Sequence, residues 1–176
     1  MGPTCSILLE RKIDFEEIHL VDEFLKSIVK GEVETTKSAR DFWVDSKKFF
    51  KISKIGSDCQ FSIYFDNKLR EMEEDILVQI EMLTKKTIKA QIEISSGCNR
   101  SGDHIVLGEL TFQIANILKG LIDFGGDLNI YQKEITKILN GEVYSITYNE
   151  GMAEYQISDV EFLNNWMKHP NFRMIK

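Results

Sequence analysis

Apolar positions recur along this chain at intervals of two, three or four, and each change of interval marks a change of element. From residue 88 to 95, Ile88, Ala90, Ile92 and Ile94 alternate with Lys89, Gln91, Glu93 and Ser95. A period of two predicts a strand with one apolar face and one polar face. Residues 96–102 contain two glycines and several side chains that bond to their own backbone, which is turn chemistry. Asp103 or Ser101 then stands where a helix cap accepts the first free N–H groups. Leu107, Leu110, Thr111, Ile114, Ala115 and Leu118 fall at helical spacing, and Gly120 suits the helix exit. Leu121, Ile122 and Phe124 resume a strand that Gly125-Gly126 ends. The unit reads as β-loop-α-β, and its helical crossover predicts two strands running in the same direction.

The remaining chain alternates in the same way. Residues 4–10 carry Ile7, Leu8 and Leu9 together and predict a buried strand. Asp14 is placed to cap a helix with Phe15, Ile18, Val21, Leu25, Ile28 and Val29 on one stripe and Gly31 at its end. Residues 32–40 are polar and predict a loop. Phe42-Trp43-Val44 predicts a short strand, and Phe49, Phe50, Ile52 and Ile55 an extended segment. Residues 60–65 alternate as a strand. A helix is expected from Asn67, carrying Leu69, Met72, Ile76, Leu77, Ile80 and Leu83, with Glu71, Glu73 and Glu74 at its positive end. Residues 130–139 predict a helix closed by Asn140-Gly141. Residues 143–148 and 153–157 predict paired strands. Ser158 is expected to cap a helix through Phe162, Leu163, Trp166 and Met167 that Pro170 cannot continue. Residues 172–175 read as a terminal strand or extended tail. The fold class is α/β with an α+β character: a single domain over 1–176, a mixed β-sheet, and helices mainly on one face.

Composition narrows the function classes. A chain of 176 residues that is 43% hydrophobic is long enough to bury one core. A formal net charge of −6 argues against a general nucleic-acid binder, because phosphate binding needs clustered cations. The three cysteines, Cys5, Cys59 and Cys98, match neither a disulfide framework nor a zinc spacing, which fits a reducing cytoplasm. The N-terminal residues carry no basic segment followed by an apolar run, so no secretory signal is expected. No apolar stretch reaches the ~18 residues of a membrane span. Neither a P-loop lysine nor a G-x-G-x-x-G fingerprint accompanies Gly125-Gly126, and no cofactor is implied.

Candidate chemistry is sparse. Cys98 follows a strand and precedes a helix, with Arg100 and His104 close by. A thiol near a helix N-terminus and a cation would have a lowered pKa and act as a nucleophile, with His104 as its base. Against that, cysteine is commonly a buried packing residue, and no oxyanion donors or third member are identifiable. His19, Asp103, His104, Glu109 and His169 show no metal-ligand spacing, so no metal is expected. Arg100, Asp103, Gly125 and Gly126 are candidate ligand contacts. Glu73 and Glu74 form an acidic helix start suited to a basic partner. Trp43, among Arg40, Asp41 and Asp45, marks a candidate contact surface if exposed, whereas Trp166 falls on a core stripe.

One ordered series of residues runs through the chain. It comprises Gly2-Pro3, Cys98-Asn99 with Asp103-His104 and Leu107-Gly108-Glu109-Leu110, and Ile122-Asp123-Phe124-Gly125-Gly126. Phe162-Leu163, Trp166, His169-Pro170 and Phe172-Arg173-Met174-Ile175-Lys176 complete it. In this the chain resembles a family of small uncharacterised bacterial proteins, a domain of unknown function, and the resemblance spans essentially the whole sequence. It implies no activity. In style the chain is similar to immunity proteins of toxin systems, an analogy only. The expectation is therefore a cytoplasmic interaction protein that neutralises a toxin or regulates a partner by binding a basic protein. The alternatives are a small hydrolase or transferase using Cys98 with His104, and a small-ligand binding module between the 98–104 loop and the Gly125-Gly126 turn. Oligomeric state is not legible in the sequence.

Overall fold

The computed structural model describes residues 2–45, 48–49, 60–69, 72–97, 99–128, 140–148 and 153–174. In chain order the elements are β1 (Thr4–Leu9), α1 (Phe15–Ile28), β2 (Glu34–Thr35), β3 (Ala39–Trp43), β4 (Gln60–Asp66) and α2 (Glu74–Thr84). They continue with β5 (Ala90–Ser96), α3 (Ser101–Leu118), β6 (Leu121–Asp123), β7 (Val143–Tyr148), β8 (Ala153–Ser158) and α4 (Val160–Trp166). The strands form one sheet in the order β2-β3-β4-β5-β1-β6-β8-β7. Every pairing within it is antiparallel. The α/β class holds, but the expected mixed sheet is corrected: among the described residues every strand pair is antiparallel, and the parallel relation expected of the central unit exists only between strands that are not neighbours. β5 and β6 run the same way, each antiparallel to β1, which lies between them. Their C-terminal ends therefore share one end of the sheet.

β1 is central, and its apolar run is buried on both sides. Cys5, Ile7 and Leu9 join the larger core cluster, and Leu8 joins the smaller. That is why three consecutive apolar residues stand in one strand rather than alternating with polar ones. The larger cluster lies under α1, α3 and α4, with Leu25, Leu110, Ile114 and Phe162 against Ile7, Ile63, Ile92 and Ile94. The smaller lies under α2, where Ile76 and Ile80 meet Leu8, Leu121, Ile146 and Ile157. Among the described residues, three helices cover one face and one covers the other. No helix among the described residues is long and apolar enough to cross a membrane.

Several local expectations hold. Asp14 caps α1 through the N–H groups of Glu16 and Glu17, while Glu17 returns a bond to the Asp14 N–H, a reciprocal capping box. All six stripe residues of α3 are buried, and Trp166 is 2% exposed. Residues 143–148 and 153–158 pair as expected.

Others are corrected, each for a tertiary reason. Residues 32–40 are not all loop, since Glu34–Thr35 and Ala39–Trp43 form an edge hairpin. Arg40 is buried there because Asp22 of α1 accepts from its Nε (2.7 Å) and Nη2 (3.0 Å), and Phe65 lies under its guanidinium. The helix expected from Asn67 starts at Glu74, because the Asn67 amide is engaged by the N–H and C=O of Ile13 (2.6 and 2.7 Å). Ile88 precedes β5 and packs in the smaller cluster, opposite Ala90, Ile92 and Ile94. Phe15 and Leu83 are 81% and 45% exposed, so neither completes its stripe. Asp159, not Ser158, caps α4, accepting from the Phe162 N–H at 2.7 Å. At the exit of α3, Lys119 takes the left-handed conformation, and Gly120 serves packing. A Cβ there would stand 2.3 Å from Ile7 Cγ2 and 3.0 Å from the Leu8 carbonyl oxygen. Phe49 packs edge-on to Phe24, whereas Phe50, Ile52, Ile55 and the helix expected at 130–139 lie outside the described residues.

Candidate functional site

The loop between β5 and α3 was the sharpest chemical candidate in the sequence. Cys98 lies outside the described residues. Arg100, exposed, occupies the N-cap position of α3 that Asp103 or Ser101 was expected to take. Asp103 instead works from within the first turn, its Oδ2 accepting the Arg100 N–H at 2.8 Å. It is 1% exposed and so belongs to the fold. His104 is held at both ring nitrogens: Nε2 bonds Asn99 Oδ1 (2.9 Å), and Nδ1 accepts the N–H of Met174 (3.1 Å). Burial lowers its pKa, which favours the neutral ring that this bonding requires. A histidine tied to the C-terminal tail in this way is an anchor for that tail.

The Gly125-Gly126 turn closes β6. Gly125 adopts φ +66°, and its N–H is given to Asp123 Oδ1 at 2.8 Å. The Gly126 carbonyl accepts the Gln156 N–H at 3.4 Å. The turn's polar groups are thus spent on its neighbours rather than held out for a phosphate.

A cleft of about 410 Å³ opens on the sheet face that α2 covers. Cross-strand register builds its floor. Ser6 of β1 stands opposite Glu93 of β5 on one side and Asp123 of β6 on the other, so three polar residues form a row across three adjacent strands. Gln91, two residues before Glu93, extends the floor. Tyr155 of β8 and Tyr148 of β7 form one wall, their rings 5.8 Å apart. Met72, Glu73 and Ile76, at the start of α2, form the other. Three carboxylates line this space, and no lysine, arginine or histidine does among the described residues.

Asp123 dominates its electrostatics. It is 8% exposed, and burial pushes its carboxyl up to about 6, partly offset by the Gly125 N–H. Its second oxygen bonds no described residue, yet is not sealed from solvent. Its charge also helps to raise the Tyr155 phenol, after burial. A desolvated carboxylate with no cation beside it among the described residues is costly unless a partner supplies one. This arrangement can bind a cation: charge and acceptors on the floor, aromatic faces on one side, apolar carbon on the other.

Of the residues singled out in the sequence, the cleft brings together Gly125 and Glu73. Arg100, Asp103 and His104 do not line it, nor do Gly126 and Glu74. Trp43 is 44% exposed on the same sheet face, as is Tyr64, 39% exposed and directly cross-strand from Glu93. Sequence reasoning missed Ser6, Gln91, Glu93, Asp123, Tyr148 and Tyr155 as a site. One signal was present: a carboxylate inside the short apolar run Leu121-Ile122-Asp123-Phe124.

A family model described as a family of unknown function, DUF6368, matches residues 1–176. No curated protein and no solved structure matches the chain.

Proposed function

The chain belongs to DUF6368, a family of unknown function, and from that premise we propose that it is a binding protein whose α2-side sheet face receives a basic protein partner. One observation carries the reading: Asp123 is nine-tenths buried in a cleft lined by three carboxylates and, among the described residues, by no cation. Exposed Trp43 and Tyr64 on the same face supply the large aromatic surface common at the centres of interfaces. A net charge of −6 steers such a partner toward the face. Neutralisation of a basic toxin, or regulation of a basic enzyme by covering it, in the cytoplasm, is the specific form this binding takes.

The test is affinity capture from the source cells with tagged wild-type protein, Asp123→Asn and Trp43→Ala. A basic protein retained by the wild type at moderate salt, and lost by both variants, is the expected result. Retention that ignores Asp123→Asn, or no retained basic protein at all, sinks the proposal.

A second reading draws on the same cleft. Its volume of about 410 Å³ lies within the range of small-molecule sites, so a small organic cation is the alternative occupant. The ligand site expected between the 98–104 loop and the glycine turn would then move to the other side of Gly125.

A further inference from the structure

The two faces of the sheet are unequally covered. On one, α1, α3 and α4 pack over strands from β3 to β6. On the other, the strand residues buried against α2 are Leu8, Leu121, Ile146 and Ile157, from β1, β6, β7 and β8. Alternation puts Asp41 and Trp43 of β3, Ser62 and Tyr64 of β4, and Gln91 and Glu93 of β5 on this same side, since Phe42, Ile63 and Ile92 face the other core. No helix among the described residues covers these three strands there. The side chains of α2 fix how it borders them. Gln79 is bonded to Thr147 of β7, so its flank points to that edge. Glu73, Leu77 and Glu81, spaced by four, fall on the opposite flank. Glu81 accepts from the Thr87 hydroxyl, just ahead of β5, at 2.7 Å, and Glu73 lines the cleft with Gln91, so this flank faces β5. The result is a trough with a strand floor and one helical wall.

Resting on the reading of this face as the contact site for a basic protein, we propose that the trough receives one amphipathic α-helix of the partner, laid beside α2 with an apolar stripe on Trp43 and Tyr64 and basic residues along its flanks. The width admits a single helix. In the order β3-β4-β5-β1 the floor spans three strand spacings, about 14 Å, against about 10–12 Å for a helix with its side chains. Trp43 stands opposite Gln60 and Tyr64 opposite Ala39, so the two exposed aromatics are offset by four residues on neighbouring strands, about 14 Å at 3.4 Å per residue. A helix laid along the strands covers that distance in roughly two to three turns, and helices in grooves are held by apolar anchors repeated at turn spacing. Charge sets the sign of the occupant. The charged residues that alternation puts on this side of β3, β4, β5 and β6 are Asp41, Asp66, Glu93 and Asp123, all acidic, and Glu73 and Glu81 add to them from α2. Each keeps the bonds it makes within the fold, because it is their summed field that acts on a partner's cations. A second copy of this chain would bring a like-charged face and a net charge of −6 against it, which disfavours self-pairing there.

The test uses the full chain and three blocked peptides of about fourteen residues, each long enough for about 21 Å of helix. The first carries leucine and lysine at helical spacing, the second has the same composition in strict alternation, and the third has the helical pattern with glutamate for lysine. The helical leucine–lysine peptide is expected to shift the amide NMR signals of Asp41, Tyr64 and Glu93 and to move the emission of Trp43 to the blue, Trp166 being buried already. The alternating isomer is expected to bind at least about tenfold more weakly, and the acidic peptide not to bind. Tyr64→Ser and Glu73→Gln are each expected to weaken the helical peptide about threefold or more, whereas Val78→Ala, at an exposed position of α2 away from the trough, leaves it unchanged. Equal binding of the two isomers, shifts outside the trough, or indifference to Tyr64→Ser would each overturn the inference. So would the same shifts on raising the concentration of the chain alone, which would assign the face to a second copy. If a basic protein is captured in an Asp123-dependent way yet the helical peptide shows no advantage, the helix assignment fails and the broader reading stands. If the helical peptide binds in the trough but no basic protein is captured, the helix site stands and the reading of the cleft as its anchor in the source cells falls.

Discussion

Burial acts against the charged form of both Asp123 and His104, so it raises one pKa and lowers the other. Burial holds the Asp123 carboxyl at about 6, above its ordinary value of 3.8. The folded state therefore bears the full cost of the buried carboxylate above pH ~6 and sheds it as pH falls toward ~4, because the fold takes up the proton before the unfolded chain does. Asn in its place keeps an acceptor for the Gly125 N–H and removes the charge. Asp123→Asn is expected to raise stability by about 1–3 kcal/mol at pH 7, from a shift of roughly two pH units. Denaturant melts should show that advantage shrinking as pH approaches 4. A destabilised variant would mean the carboxylate is structural. His104 has the other sign. Its lowered pKa means that Nδ1 accepts the Met174 N–H above that pKa and loses the bond on protonation. Hydrogen exchange at Met174 should therefore quicken relative to core amides as pH falls through that lowered pKa, and His104→Ala should be fast at every pH.

At the scale of elements, the close approach of α3, β6 and β1 limits what sequence is allowed. Gly120 lies where any Cβ would meet Ile7 Cγ2 at 2.3 Å and main chain at 3.0 Å. Gly120→Ala is expected to cost about 1–3 kcal/mol through overpacking, read as a lower urea midpoint. An unchanged midpoint would show that β1 and β6 yield there. The β7 edge has its own device. The Gln79 amide of α2 bonds both the carbonyl (2.8 Å) and the N–H (3.1 Å) of Thr147, as a neighbouring strand would. That occupies one rung of an edge otherwise available to another chain.

Across the whole molecule, charge and shape act together. The chain carries a net charge of −6, and the cleft gathers three carboxylates beside one aromatic wall. In the proposed function, long-range attraction would set how fast a basic partner arrives, and the desolvated Asp123 how long it stays. Raising salt from 50 to 500 mM should slow association by about tenfold or more as the Debye length contracts, with a much smaller change in dissociation. Surface plasmon resonance with the captured partner separates the two rates. A salt effect confined to dissociation would contradict electrostatic steering.

Much of the fold was legible in the sequence because its causes are local. The alternation of Ala90, Ile92 and Ile94 with polar neighbours, the six-residue stripe of α3 and the Asp14 cap each arise from neighbours along the chain, so spacing alone revealed them. The acidic start of α2 was legible for the same reason, whereas the exposure of Trp43 was left open by the sequence. The start of α2, the side taken by Ile88 and the role of Gly120 were not legible, because Ile13, the smaller core cluster and Ile7 decide them from far away in sequence. The cleft is the extreme case. Ser6, Gln91, Glu93, Asp123 and Tyr155 come from four strands that the order β5-β1-β6-β8 sets side by side. The sequence by itself determined the type and approximate position of most described elements and which strand faces are polar, since those follow from local spacing. Only the tertiary structure decided that one polar face would be flanked by α2 and turned into an acidic cleft, because register and strand order depend on long-range pairing.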